Sequence, residues 1–238
     1  VIWKHRLGKW LLPRLPVTRF VVEILRAESR SFVLAVKNRL LPWRRRRIGN
    51  IVRSSGLRLN IASGPHVLPD FVNLDAHATH PHIVEIDCRR SLPFRDASVE
   101  GIRVEHFVEH LEPREELPSF IGHCRRVLVR GGVLRIIVPD AERYLQAYCR
   151  GDLGGFRELG VPIPFPDDLP TRMDIVNHTF HQWHEHRWGY DFETLAHRLM
   201  ESGFERVERT RFAHSLDPLL ATDREEHSRY SLYVDAVR

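Results

Sequence analysis

Five short runs of aliphatic and β-branched residues, at 57–62, 71–75, 82–87, 101–105 and 133–138, limit what this chain can fold into more than any other feature. Each is too short for a helix and too continuously apolar for a strand that faces water on one side. They therefore predict strands buried on both faces, four of them followed by a polar or glycine-rich turn. Buried parallel strands need crossover connections, usually helical, so the expected class is an α/β sheet. A helix fits 113–129. Asp191 can cap another, with Phe192, Leu195, Ala196, Leu199 and Met200 on its apolar face and Gly203 closing it. Runs at 205–212 and 231–237 follow, separated by a polar loop and predicted as an antiparallel pair at the sheet edge.

Charge divides the chain. Residues 1–53 hold 14 Lys and Arg against 2 Glu, whereas the remaining 185 carry 22 basic and 29 acidic residues, so the net charge of +5 arises wholly in the first segment. The bulk of the chain is thus no basic surface for nucleic acid, and none is expected as a partner. We divide the chain into a basic amphipathic helical extension, 1–53, and a domain from 54 to 238. In the extension, Thr18 can cap a helix whose apolar residues Val21, Leu25, Phe32, Val36 and Leu40 recur near one face, ending before Pro42. Such a face either packs on the main domain or lies on an anionic membrane, with residues 1–47 as the contacting segment and Arg44–Arg47 adding attraction. No apolar run reaches the ~18 residues of a transmembrane helix, and the start lacks the apolar stretch of a signal peptide. The widely spaced Cys88, Cys124 and Cys149 fit reduced, structural thiols. The expected compartment is the cytoplasm, with peripheral contact at the inner membrane face.

Residues 151–170 contain four glycines and four prolines and are predicted to be irregular, as part of a lid over 151–180. Gly64 follows the first predicted strand, where a missing side chain lets a ligand approach the backbone. Asp75 and Asp87 end the second and third predicted strands, so both carboxylates fall at strand carboxyl ends, where open α/β sheets bind ligands.

With LNIASGPH, VEHFVEHL, RRVLVRGGVLRIIVPD and WGYDFETLAHRLMESGF, the sequence resembles the class I S-adenosylmethionine-dependent methyltransferases over about 57–238. Within them it is similar to the small methyltransferases that accompany glycosyltransferases in surface-polysaccharide pathways. The resemblance implies a Rossmann-like, seven-stranded, mostly parallel sheet with helices on both faces. It also implies that Ala62, Ser63 and Gly64 hold the methionine part of S-adenosyl-L-methionine, Asp75 the ribose, and Asp87 with Cys88 the adenine edge, while Glu105 and His106 flank the sulfonium. Asn60 stands where the family has an acid, and Ala62 where it has a glycine. The short connection from 62 to 71 must hold an abbreviated crossover of about one turn.

The expected activity is O-methylation of a sugar, polysaccharide or glycosylated small molecule. The alternative is a catalytically silent, methyltransferase-like binding module acting through its basic N-terminal segment. An alcohol acceptor needs a base, and His106 and His181 are the candidates, as neutral imidazoles with pKa near neutrality. Trp183, Trp188 and Tyr190 could stack on a sugar face, and Asp140 ends the fifth strand as another polar group at the same rim. HFVEH at 106–110 also matches the H-x-x-E-H zinc-peptidase pattern, but it follows a strand rather than lying in a long helix. It further resembles an E-x-x-E-H run that binds a divalent ion in some O-methyltransferases, so a metal held by His106, Glu109 and His110 with His181 or His184 is a second reading. Against it stands a simpler one, in which Glu109 and His110 only hydrogen-bond locally.

Overall fold

The structure, a computed structural model, describes residues 18–238; the first 17 residues of the basic extension lie outside the described residues. The described residues fall into two compact units, divided between Arg45 and Arg46. In the first, α1 (Arg19–Leu40) begins as predicted at Thr18, whose side chain accepts from the Val21 N–H. It stops before Pro42, which opens a second helix not foreseen in the sequence, α2 (Pro42–Arg53), because proline suits the first position of a helix. The apolar positions Val21, Leu25, Phe32, Val36 and Leu40 are exposed, while Ser31 and Leu34 are buried.

The second unit is built on one seven-stranded sheet in the order β3-β2-β1-β4-β5-β7-β6. Its strands are β1 (Leu57–Ile61), β2 (Val72–Asp75), β3 (Ile83–Glu85), β4 (Val99–Glu105), β5 (Leu128–Pro139), β6 (Arg206–Arg209) and β7 (Ser231–Val237). The first five are parallel, and β7 runs antiparallel to both β5 and β6, so the late pair closes one edge as expected. The helices are α3 (Glu116–Val127), α4 (Ala141–Cys149), α5 (Gly154–Glu158), α6 (Arg172–His181) and α7 (Phe192–Glu201).

Alternation along the strands sorts their side chains. Leu59, Ile61, Ile102, Val104, Leu134 and Ile136 are fully buried in one core with Phe120 and Ile121 of α3 and Leu195 and Leu199 of α7. The intervening positions, Asn60, Asn73, Arg103, Glu105, Arg135 and Asp235, are buried and polar. Arg103 and Arg135 are register partners on β4 and β5. Every N–H of the Arg135 guanidinium has an acceptor. Nε and one terminal nitrogen take the Asp223 carboxylate at 2.9 and 2.6 Å; the other acceptors are Asp235 Oδ1 at 2.8 Å, Thr210 Oγ1 at 3.0 Å and the Arg211 carbonyl at 3.1 Å.

Two expectations are corrected. The 62–71 connection contains no helix at all. Its loop is instead tied by two amides: Asn60 Nδ2 donates to the His66 carbonyl and to Asn73 Oδ1, and Asn73 Oδ1 accepts from the Leu68 N–H while its Nδ2 donates to the Leu68 carbonyl. The 151–170 segment is not wholly irregular either, since α5 lies within it, and α6 occupies most of the rest of the expected lid. The apolar residues outweigh the glycine and proline signal. Phe156 is buried edge-on against Phe165 at 5.7 Å and packs with Tyr144, Ala147, Ile175 and Val176 as a second core. A capping box at Thr171 and Asp174 starts α6.

Candidate functional site

The strand order reverses between β1 and β4: the chain proceeds outward from β1 through β2 and β3, then returns to the other side of β1. At such a switch point the connections leave in opposite directions and open a crevice at the carboxyl ends of the strands. Ala62, Ser63 and Gly64 leave β1 there, and Glu105 and His106 end and follow β4. Asp75 ends β2 beside the β1 turn. Its Oδ2 accepts the Gly64 N–H at 2.9 Å and its Oδ1 the His77 N–H at 2.7 Å. A carboxylate accepts about four hydrogen bonds, so acceptor capacity remains for two hydroxyls.

Gly64 adopts φ +50°, and no other atom lies within 4 Å of where its Cβ would be, so the turn is open as close ligand approach requires. Ala62 also sits at positive φ, 53°, a conformation that costs a side-chain-bearing residue about 1–2 kcal/mol and that glycine adopts freely. These residues fit the methionine and ribose parts of the cofactor.

The adenine side fits less simply. Asp87 is paired with Arg89, through Nε to Oδ1 at 3.1 Å and a terminal nitrogen to Oδ2 at 2.8 Å. The Cys88 side chain is buried in the core, where burial pushes its thiol pKa well up, so only its backbone can face a ligand.

Glu105 is turned into the protein. It pairs with Arg103, with Arg224 Nε at 3.1 Å and with His227 Nδ1 at 2.9 Å. Burial pushes its carboxyl up, but the His227 bond and the two guanidiniums outweigh that and hold its pKa down at about 2. Arg103 also donates to Asn60 Oδ1 at 3.1 Å.

His106 has φ 51°, a strained backbone that brings its ring between Ser231 and Glu109. Its Nε2 lies 3.0 Å from Ser231 Oγ, its Nδ1 3.4 Å from Glu109 Oε1, and its ring 4.0 Å from that of His227. Burial, with a smaller contribution from His227, lowers its pKa to about 3. The ring is therefore neutral at pH 7, as expected, but far less basic than the near-neutral base predicted from the sequence.

His181 is exposed at the end of α6, and neither it nor His184 is among the ligand atoms grouped with Glu109. His186 is grouped there instead, its ring 4.9 Å from that of His110. Gln182, Trp183 and His184 all have positive φ and redirect the chain after α6; Arg187 N–H then donates to the Glu109 carbonyl at 2.7 Å. Asp140 is buried, and Arg209 holds its Oδ2 at 2.8 Å. Tyr190 is buried, whereas Trp183 and Trp188 are exposed.

Residues 66–136 match the model of a family described as a methyltransferase domain. Among curated proteins none matches this chain. Similar solved structures include an S-adenosylmethionine-dependent methyltransferase from Archaeoglobus fulgidus, 18% identical, covering 88% of this chain and 94% of that one with a TM-score of 0.46. Another is the 1,6-didemethyltoxoflavin-N1-methyltransferase of Burkholderia thailandensis, with 1,6-didemethyltoxoflavin and S-adenosylhomocysteine bound; it is 12% identical, covering 94% of this chain and 91% of that one, with a TM-score of 0.46. The family match extends from the β1–β2 loop into β5 and includes Asp75, Asp87, Glu105 and His106. Over residues 66–136 the chain is thus similar to a methyltransferase domain.

Proposed function

We propose that Ala62–Gly64 and Asp75 hold S-adenosyl-L-methionine in the β1/β4 crevice, and that the acceptor is a hydroxyl of a sugar, polysaccharide or glycosylated small molecule. The observation that carries the cofactor site is the Gly64–Asp75 bond at the switch point, which presents an open turn and a carboxylate with spare acceptor capacity side by side. The cofactor supplies an electrophilic methyl group on a sulfonium. Transfer needs in-line alignment and exclusion of water, and here His106, neutral and held by Ser231, lines the β4 side of the crevice. The glycan acceptor is supported by the exposed Trp183 and Trp188, whose faces suit stacking on sugar rings, and by the resemblance to glycan-pathway methyltransferases.

Calorimetric titration of the full chain with S-adenosylmethionine is expected to give saturable micromolar binding, and Asp75→Ala to weaken it about 100-fold, two charge-assisted hydrogen bonds being lost. Parent-like affinity in Asp75→Ala would remove Asp75 from the site. Absence of binding by the parent would favour the silent-module alternative. Transfer of label from methyl-labelled cofactor to a panel of glycans tests the acceptor, and labelling of non-glycan acceptors alone would overturn it.

Peripheral membrane contact through the N-terminal segment belongs to the same proposal. It is supported by the exposed apolar residues of α1, which stand close in sequence to Arg44–Arg47. No helix of the described residues is long and apolar enough to cross a membrane. At roughly 1 kcal/mol per basic residue near anionic lipid, Arg45→Glu with Arg46→Glu is expected to weaken sedimentation with phosphatidylserine vesicles about 30-fold or more. Unchanged sedimentation would exclude the contact.

A further inference from the structure

The Glu109 carboxylate has neither oxygen hydrogen-bonded, although the residue is 98% buried with only 2% exposed. Buried carboxyl groups are nearly always partnered, so this one calls for an explanation. Its surroundings offer one. Glu109, His110 and His186 each place a ligand atom within 4.8 Å of the others. His110 Nδ1 lies 2.9 Å from the Glu185 carbonyl, and His186 Nδ1 lies 2.7 Å from the Thr179 carbonyl. A carbonyl oxygen only accepts, so in both rings Nδ1 carries the proton and the lone pair is on Nε2. A backbone carbonyl fixing the tautomer and orientation of an imidazole is the usual outer support of a metal-binding histidine.

We propose that Glu109, His110 and His186 bind one divalent transition-metal ion. Two imidazoles and a carboxylate form a donor set suited to zinc and neighbouring first-row ions and poorly suited to magnesium or calcium, which prefer oxygen ligands. Three protein ligands leave coordination positions open to water or an acceptor oxygen. The site differs from the sequence expectation, because it takes His186 rather than His181 or His184, and His106, with Nδ1 3.4 Å from Glu109 Oε1, is not part of the set. The binding claim rests on this cluster alone. A role in lowering the pKa of an acceptor hydroxyl beside His106 would rest in addition on the methyl-transfer site proposed above.

The test is a titration of the chelator-treated full chain with Zn2+ alone. One equivalent is expected to bind, and Glu109→Gln and His186→Asn are each expected to weaken it about 100-fold or more. His80→Asn, altering an exposed histidine stacked on His82, should leave binding unchanged. Absence of saturable binding, or binding retained in either ligand variant, would overturn the site and assign any zinc to surface histidines. Circular dichroism establishes that the variants fold. Should His186→Asn unfold, Glu109→Gln decides the question, because its amide closely matches the carboxyl in size. Zinc and cofactor are titrated separately, so failure of one leaves the other intact.

Discussion

Replacing Arg135 with leucine is expected to destabilise the fold by about 3–5 kcal/mol, read as a fall in the urea midpoint at unchanged slope. The arginine side chain and both its carboxylate partners, Asp223 and Asp235, have no solvent exposure. Leucine cannot take over their hydrogen bonds. Asp235 would keep Ser215 Oγ and the Leu216 N–H, and Asp223 the Ala213 N–H, but two negative charges would be left buried without a cation. The damage should spread through the 210–223 segment, which Arg135 ties to the sheet through Thr210, Arg211 and Asp223. A loss under about 1 kcal/mol would mean that water or the Tyr233 ring, 5.2 Å from the guanidinium, takes its place.

Removing the Glu105 carboxylate is expected to cost a similar amount, about 3–5 kcal/mol for Glu105→Ala, because Arg103 is then buried with Asn60 as its remaining side-chain acceptor. Acid titration of the parent tests the same network. The folded pKa of Glu105, about 2, lies below its ordinary value of 4.5, so its contribution is complete above pH 4.5 and is lost as pH falls towards 2. His106 and His186, lowered to about 3 and about 4 chiefly by burial, stay neutral in the fold while the unfolded chain takes up protons below 6.5. Acid should therefore weaken the protein in two stages, gently from pH 6.5 and more steeply below 4.5. Glu109 acts in the opposite sense: burial raises it to about 8, so its contribution is present below 4.5 and is lost as pH rises through 8. Chemical denaturation across pH 3 to 9 should show maximal stability near neutrality. In Glu105→Ala the steeper acid stage should disappear, and its persistence would place that stage elsewhere.

The strands were legible because each buried run is bounded by turns, and the same turns located the acids at 75 and 87 at or just beyond strand carboxyl ends. The polar layer was not. Arg103 and Arg135 sit in runs, GIRVE and VLRIIV, whose apolar content alone predicts a buried strand, and the acidic partners of Arg135, Asp223 and Asp235, lie 88 and 100 residues away. A basic residue at the same place in two adjacent strands was the available signal. The packed 151–180 region was hidden for the opposite reason: glycine and proline report local backbone freedom, whereas Phe156 and Phe165 act through contacts with α4 and α6. His186 could not be singled out among four histidines within nine residues. What selects it is a left-handed stretch at Gln182–His184, where no glycine announces the turn.

The Gly64–Asp75 hydrogen bond has a consequence for turnover. In the proposed site it couples the backbone around the methionine part of the cofactor to the carboxylate that meets the ribose, so the recognition surface is set when the chain folds and little ordering remains for the ligand to impose. That advantage is shared by any molecule with the same two parts. The demethylated product has both and lacks only the methyl group and the sulfonium charge, so in the proposed site it is expected to compete with fresh cofactor. Inhibition of the proposed transfer by its own product is therefore expected, read as a rate that falls when the demethylated product is added.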